Sequence, residues 1–152
     1  MDVEILREFI QKNNIKVEII EHKTSGLRSE DASAALGIDI SHIIKTLLFI
    51  GRSENAVVVC LGNDRIDMKK LEKLGIKKPR LAKEDELKEI LDTTPGGTPP
   101  IGLPDSITKF IDKKVLEKYF VVGSAGSEFA GLKINPKDIL KVSNYRVVDI
   151  TK

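Results

Sequence analysis

Apolar residues recur at helical spacing at Val3, Leu6, Phe9 and Ile10. This predicts an amphipathic helix over residues 2–13, stopped by Asn13-Asn14. Val17 and Ile19 mark a strand over 16–22 that ends at His22. Residues 29–36 read as a short helix, with Ser29 as N-cap, Glu30 and Asp31 in the first turn and Gly37 as terminator. Two runs follow, 43–50 and 56–61, joined by Gly51-Arg52-Ser53-Glu54-Asn55, a loop of hairpin length. Both runs are apolar on both faces, which places them inside a sheet. Helices are predicted at 67–74, closed by Gly75, and at 83–91. Strands are predicted at 108–112, 119–122 and 145–150, and Asn135-Pro136 opens a last helix to Leu140. The elements do not alternate strictly. The expected class is therefore α/β of the mixed α+β kind: one domain over 1–152, with a mixed sheet surrounded by short helices.

A chain of 152 residues fits one domain, and 41% hydrophobic with 32% charged residues is a globular balance. The net charge of +2 gives no global basic field, so a nucleic-acid partner would need a local patch. The densest basic cluster, Lys69, Lys70, Lys73, Lys77, Lys78 and Arg80, reads first as a solvated helix face. The single cysteine, Cys60, excludes a disulfide within the chain. Its apolar neighbours offer neither the exposure nor the positive charge that a reactive thiolate needs. Met1-Asp2-Val3-Glu4 is not a leader-like start, and no run approaches the roughly 20 apolar residues of a membrane span. A cytoplasmic location without a membrane partner is expected.

Lys45 is the most informative residue. Strand alternation puts it with Ile43, Leu47 and Phe49, on a face otherwise built of large apolar groups. A buried ammonium without a partner is costly, so Lys45 must reach water, a carboxylate or an anionic ligand. The segment Thr93-Thr94-Pro95-Gly96-Gly97-Thr98-Pro99-Pro100-Ile101-Gly102 is the second feature. Glycines let backbone amides approach a ligand and prolines preset the loop, although a rigid surface connection has the same composition. The third is Gly123-Ser124-Ala125-Gly126-Ser127, read as a small-residue turn after a strand. It is not a phosphate-binding loop, since Leu132-Lys133 stands where Lys-Ser/Thr is required. His22 and His42 show no metal-ligand spacing, no Gly-x-Ser-x-Gly elbow occurs, and Asp64 and Asp67 sit where capping is the simpler role. No metal or cofactor is expected.

These features occur together in one family. Through Glu21-His22, the helix Ser29–Gly37, Ile44-Lys45-Thr46-Leu47, Gly62-Asn63-Asp64-Arg65-Ile66-Asp67, the loop Pro95–Gly102 and Ile134-Asn135-Pro136-Lys137-Asp138, the chain resembles the YbaK/prolyl-tRNA synthetase-associated domain family. The resemblance implies a partly barrel-like sheet with a cleft for the aminoacylated 3′ end of tRNA, and a deacylase acting on mischarged tRNA. It implies that Lys45, Gly97 and Thr98 carry the chemistry. His22, Thr46, Gly96, Pro99, Pro100, Gly102, Gly123, Ser124, Ala125 and Gly126 would bind the substrate. The partner implied is aminoacyl-tRNA of the tRNA(Pro) type carrying a small amino acid, with an aminoacyl-tRNA synthetase as a further candidate partner. Family members that edit alanine tend to carry a His-Pro-Leu-x-Asn type segment where this chain has Gly123–Glu128. That difference argues against alanine and leaves cysteine, serine or another small residue.

The expected mechanism is ester hydrolysis without a protein nucleophile. Lys45 would neutralise phosphate or orient the aminoacyl group, and loop amides would stabilise the oxyanion. The rivals are a module that binds charged tRNA or a nucleotide without turnover, and a hydrolase of another small ester or amide.

Overall fold

The fold follows from one hairpin whose two faces are both apolar. In the computed structural model, which describes residues 1–152, the elements in chain order are α1 (Val3–Lys12), β1 (Val17–Glu21), α2 (Ser29–Leu36), β2 (Ile44–Ile50), β3 (Asn55–Leu61), α3 (Met68–Lys73) and β4 (Arg80–Leu81). They continue with α4 (Glu84–Leu91), β5 (Thr108–Asp112), β6 (Val121–Ser127), β7 (Ala130–Ile134), α5 (Pro136–Val142) and β8 (Arg146–Val148). Short 3₁₀ turns lie at Ile40–His42 and Lys113–Glu117.

β2 and β3 form the expected antiparallel hairpin, with Ile44 opposite Leu61 and Ile50 opposite Asn55. They sit inside a five-stranded sheet of order β4-β2-β3-β5-β8, in which β3–β5 and β5–β8 are parallel. A separate antiparallel sheet has the order β1-β7-β6. The strands thus form two sheets joined at a single bridge, Ile43 to Val122, and not a partly closed barrel.

Alternation along the hairpin sorts the core. Ile44 and Val59, with Ile111 of β5, pack against the three-stranded sheet through Val121, Leu132 and Ile134, and against α1 through Leu6. Leu48 and Val57 on the same face meet Leu91 of α4 and Leu103. The opposite face presents Phe49, Ala56, Val58 and Phe110 to Leu71 of α3. All seven β3 residues from Asn55 to Leu61 are at least half-buried, which is why that run carries no polar face.

Capping chemistry fixes the helix starts. Asp2 accepts from the Ile5 amide, Asp67 from the amides of Lys69 and Lys70, and Asn135 from that of Lys137 ahead of Pro136. The α2 start differs from expectation: Arg28 occupies the cap position without a side-chain bond, and Ser29 is already helical. Its hydroxyl instead lies where a side chain on Gly62 would have to go. Gly37 ends α2 in the left-handed region at φ 66°.

The strand expected at 119–122 begins at Val121 and runs through Ser127. The small-residue segment 123–127 is therefore strand, not turn, with a register shift between Ser124 and Ser127; the turn falls at Glu128-Phe129. Its partner β7 alternates Ala130, Leu132 and Ile134 with Gly131 and Lys133, but a run of five residues with a glycine inside it is a weak strand signal. Pairing on both sides, to β1 and β6, supplies the hydrogen bonds that make it a strand.

A buried carboxylate closes the C-terminal end. Asp112 is fully buried and accepts from the Ile150 amide at 3.0 Å and the Lys114 amide at 3.2 Å. Asp112→Ala strands both donors and is expected to cost about 2 kcal/mol, read as a lower urea midpoint. Cys60 supplies a pH signature. Burial pushes its thiol up to about 12, the Lys45 charge opposing this only in part. In the unfolded chain the thiol ionises near its ordinary value of about 8.5, so the folded state holds the extra proton and stability falls as pH rises from about 9 to about 12. Urea unfolding at about pH 8 and about pH 10.5 should show a smaller loss for Cys60→Ala than for the wild type. Equal losses would remove Cys60 as the cause.

Candidate active site

The open edge of β2 builds the cleft. β3 covers one edge along its whole length, but β4 pairs with the other edge only at Phe49 and Ile50. On that side the backbone from Lys45 to Leu47 has no strand partner, and the gap between β2, α2 and the β6–β7 hairpin is a cleft of about 560 Å³. Lys45 and Thr46 line it from β2; Arg28, Ser29 and Glu30 from the start of α2; Asn63, Asp64 and Arg65 from the loop after β3.

Lys45 is half-buried on the cleft wall and forms no ion pair or side-chain hydrogen bond within the chain. It stands opposite Cys60 in the hairpin register. The positive neighbour that the thiol seemed to lack is therefore present, but burial outweighs it and keeps the thiol neutral. The nearby acid Asp64 is already engaged, with Lys114 Nζ 2.7 Å from its Oδ2, an ion pair that raises the Lys114 pKa. Lys45 is thus a cation in a cleft without its own carboxylate, the arrangement that suits an anionic ligand.

The Gly/Pro loop forms another wall through Gly96 and Thr98. It is held from inside: the Thr98 and Thr93 hydroxyls meet at 2.9 Å, and the Tyr145 hydroxyl donates to the Pro100 carbonyl at 2.7 Å. The Gly97 amide donates to the Thr94 carbonyl at 2.8 Å and is not free for a ligand. The Gly96 and Thr98 amides make no hydrogen bond within the chain. Gly96 is required by geometry as well as by its φ of 73°, since a Cβ there would come within 2.9 Å of the Leu27 Cα.

The segment before α2 closes the cleft from above. His22 Nδ1 lies 2.5 Å from the Thr24 carbonyl, and the Ser25 hydroxyl donates to Glu128 Oε2 at 2.8 Å. Leu27 rests against Gly96, which joins this segment to the loop.

Of the residues singled out from sequence, His22, Lys45, Thr46, Gly96, Thr98, Gly123 and Ser124 converge on the cleft. Gly97, Pro99, Pro100, Gly102, Ala125 and Gly126 do not line it. Pro99 and Pro100 are buried in the loop, Ala125 is fully buried in the core, Gly102 packs on Met1 and Leu6, and Gly126 packs on the backbone of Asp2 and Val3. These residues shape the walls from behind. Arg28, Asn63, Arg65 and Glu128 were not singled out for the cleft, although the polar run Gly62-Asn63-Asp64-Arg65 directly after an apolar strand was a visible signal. None of the basic cluster from Lys69 to Arg80 reaches the cleft; Lys70 is bonded to Asp149 and Arg80 to Glu86.

Comparison with known proteins agrees with this geometry. The model of the aminoacyl-tRNA editing domain matches residues 25–142. The chain is 29% identical over 127 residues to the Enterococcus faecalis protein named "Putative Cys-tRNA(Pro)/Cys-tRNA(Cys) deacylase EbsC", covering 82% of this chain and 77% of that protein. It is 34% identical over 125 residues to a proline–tRNA ligase of Streptococcus agalactiae, matching 79% of this chain but only 20% of the much longer ligase. Among solved structures, hypothetical protein APE2540 superposes with a TM-score of 0.90 at 27% identity, covering 97% of this chain and 99% of that one. The family model spans the cleft walls from Ser25 through the β6–β7 hairpin and on into α5, and on that match the chain belongs to the aminoacyl-tRNA editing domain family.

Proposed function

We propose that this protein is a hydrolase of carboxylic esters that deacylates mischarged tRNA in trans, the whole chain acting as the editing unit. The substrate is a tRNA(Pro)-type molecule carrying a small amino acid. The carrying observation is Lys45: a half-buried cation on the cleft wall without a carboxylate partner. The names of the Enterococcus and Streptococcus relatives support the same reading, one as a deacylase of Cys-tRNA and one as a ligase that charges proline.

In this reading Lys45 holds the phosphate or the aminoacyl end of the substrate. A water molecule adds to the ester carbonyl, and the negative charge that develops on the carbonyl oxygen falls to the Gly96 and Thr98 amides, free donors of the two loop residues that line the cleft. The carbon–oxygen bond to the ribose then breaks and the ribose oxygen takes a proton, releasing free amino acid and intact tRNA. The loop is rigid before substrate arrives, so little reorganisation accompanies the charge development.

Lys45→Ala is expected to fold normally and to lose at least about 100-fold in kcat/KM for deacylation. Its partly solvated position at the strand's open edge predicts an unchanged urea midpoint. Single-turnover assays on a panel of charged tRNAs measure the first quantity and identify the amino acid. Protection of the ester by the wild type would replace hydrolysis with a binding role, and full activity of Lys45→Ala would remove Lys45 from the chemistry.

A further inference from the structure

A cluster of rings lies beside the bridge that joins the two sheets, outside the machinery just described. The chain has five Phe, two Tyr and no Trp, yet Tyr119 and Phe120 sit side by side with His42. His42 stacks on Phe120 with centroids 4.1 Å apart and planes within 5°. Tyr119 stands edge-on to both, at 6.2 Å from His42 and 5.3 Å from Phe120. The stack is fixed: His42 Nδ1 lies 3.1 Å from the Phe120 carbonyl, and Lys133 Nζ sits over the Phe120 ring at 4.7 Å. Tyr119, by contrast, is 79% exposed.

Position ties this cluster to the cleft. The bridge between Ile43 and Val122 joins the two sheets, and both residues line the cleft. His42 directly precedes Ile43, and Phe120 lies two residues before Val122, so the rings flank that bridge, with Phe120 and Lys133 lining a second hollow beside it. The surrounding charge is mixed but leans basic. Lys16, Lys118 and Lys133 stand against Glu18, which is opposite Lys133 in the β1–β7 register, and Asp39, which is held in its ionised form by the Ser41 amide and by His42 and Lys118. An exposed ring on a rigid aromatic buttress with lysines around it matches a stacking site for an unpaired base whose phosphates run past the lysines. A protein-docking face would have little use for the lysines, because interface cores are depleted of them.

We propose that Tyr119, buttressed by His42 and Phe120, is a stacking platform for an unpaired nucleotide of a single-stranded RNA segment entering the cleft. The proposal rests on the tRNA reading above for its biological ligand, but it is tested without that reading. Tyr145 is half-buried with its hydroxyl bonded, so Tyr119 is the one exposed tyrosine, and the part of the intrinsic tyrosine emission lost in Tyr119→Phe reports on it. The probe is a short single-stranded RNA ending in CCA, with a blunt RNA duplex of equal length as control. Tyrosine emission should fall on adding the single strand and not on adding the duplex. Tyr119→Ala should weaken single-strand binding roughly ten-fold, and Tyr119→Phe should retain it. On charged tRNA, Tyr119→Ala should raise KM by a similar factor with kcat within about two-fold, and should hydrolyse a small aminoacyl ester at the wild-type rate.

Equal binding of single strand and duplex, or wild-type RNA affinity in Tyr119→Ala, overturns the proposal. So does a Tyr119→Ala variant whose only change is the loss of a dimer, since the face would then join copies of this chain. If no charged tRNA is deacylated but RNA binding still needs Tyr119, the deacylase reading falls and the platform stands. A variant that deacylates with wild-type KM gives the reverse.

Discussion

The cleft exists because β2 is a central strand for only part of its length. β3 satisfies one edge throughout, but β4 is two residues long and reaches only Phe49 and Ile50. An unpaired strand edge is ordinarily a liability, because its free N–H and C=O groups invite another chain. Here the exposed stretch faces inward, roofed by the 22–28 segment and walled by β6, β7 and the Gly/Pro loop. The Ala82 amide adds one bond to the Leu48 carbonyl at 2.9 Å, and the pairing stops there, short of Lys45. The Arg80–Glu86 ion pair, with both guanidinium nitrogens on one carboxylate at 2.7 and 2.8 Å, anchors that short strand to α4. It holds the Glu86 carboxyl well down, at about 2.

The walls are rigid for reasons that lie behind them. Thr93–Thr98, Gly97–Thr94 and Tyr145–Pro100 bonds hold the loop from its buried side. Gly126 allows α1 to pack against that same side, where a Cβ would come within 3.0 Å of the Asp2 backbone, while Gly102, packed on Met1 and Leu6, is required by its φ of 78°. Glycine therefore appears in this site in two ways that composition does not separate. Gly96 brings the loop against Leu27 at the mouth of the cleft, whereas Gly102 and Gly126 bring a helix against the loop from the other side.

That distinction marks how far the sequence could be read. Element type and order came from period and caps: the hairpin, Asp67 and Asn135 as helix starters, Gly37 as a stop. The parity of Lys45 within its strand identified the one charge on an apolar face, and it does line the cleft. β7 escaped because its support is pairing on both sides, a property of two other strands rather than of Ala130–Ile134. The same limit hid Arg28, Arg65 and Glu128, which reach the cleft by folding of separate loops. It also made Gly97 look like a donor. Only the turn geometry reveals that its amide is used internally while those of Gly96 and Thr98 are left over.

A net charge of +2 restricts how such a site can hold a polyanion. Long-range steering scales with the field of the whole molecule, which is weak here, and the densest basic cluster, running from α3 to β4, partly spends its charge, Lys70 on Asp149 and Arg80 on Glu86. On the proposed reading, affinity for RNA comes from contacts made at short range: Lys45, Arg28 and Arg65 at the cleft, and ring stacking beside it. Phosphate pairing weakens steeply with salt, whereas stacking acts on the base face, which every base presents. On that reading the site grips an unpaired end through base faces as well as through phosphates. It also has little hold on duplex RNA, whose bases are already stacked on one another. The division of labour proposed above would then be physical: rings to select an unpaired strand, and the unpartnered lysine inside the cleft to select the charge at its end.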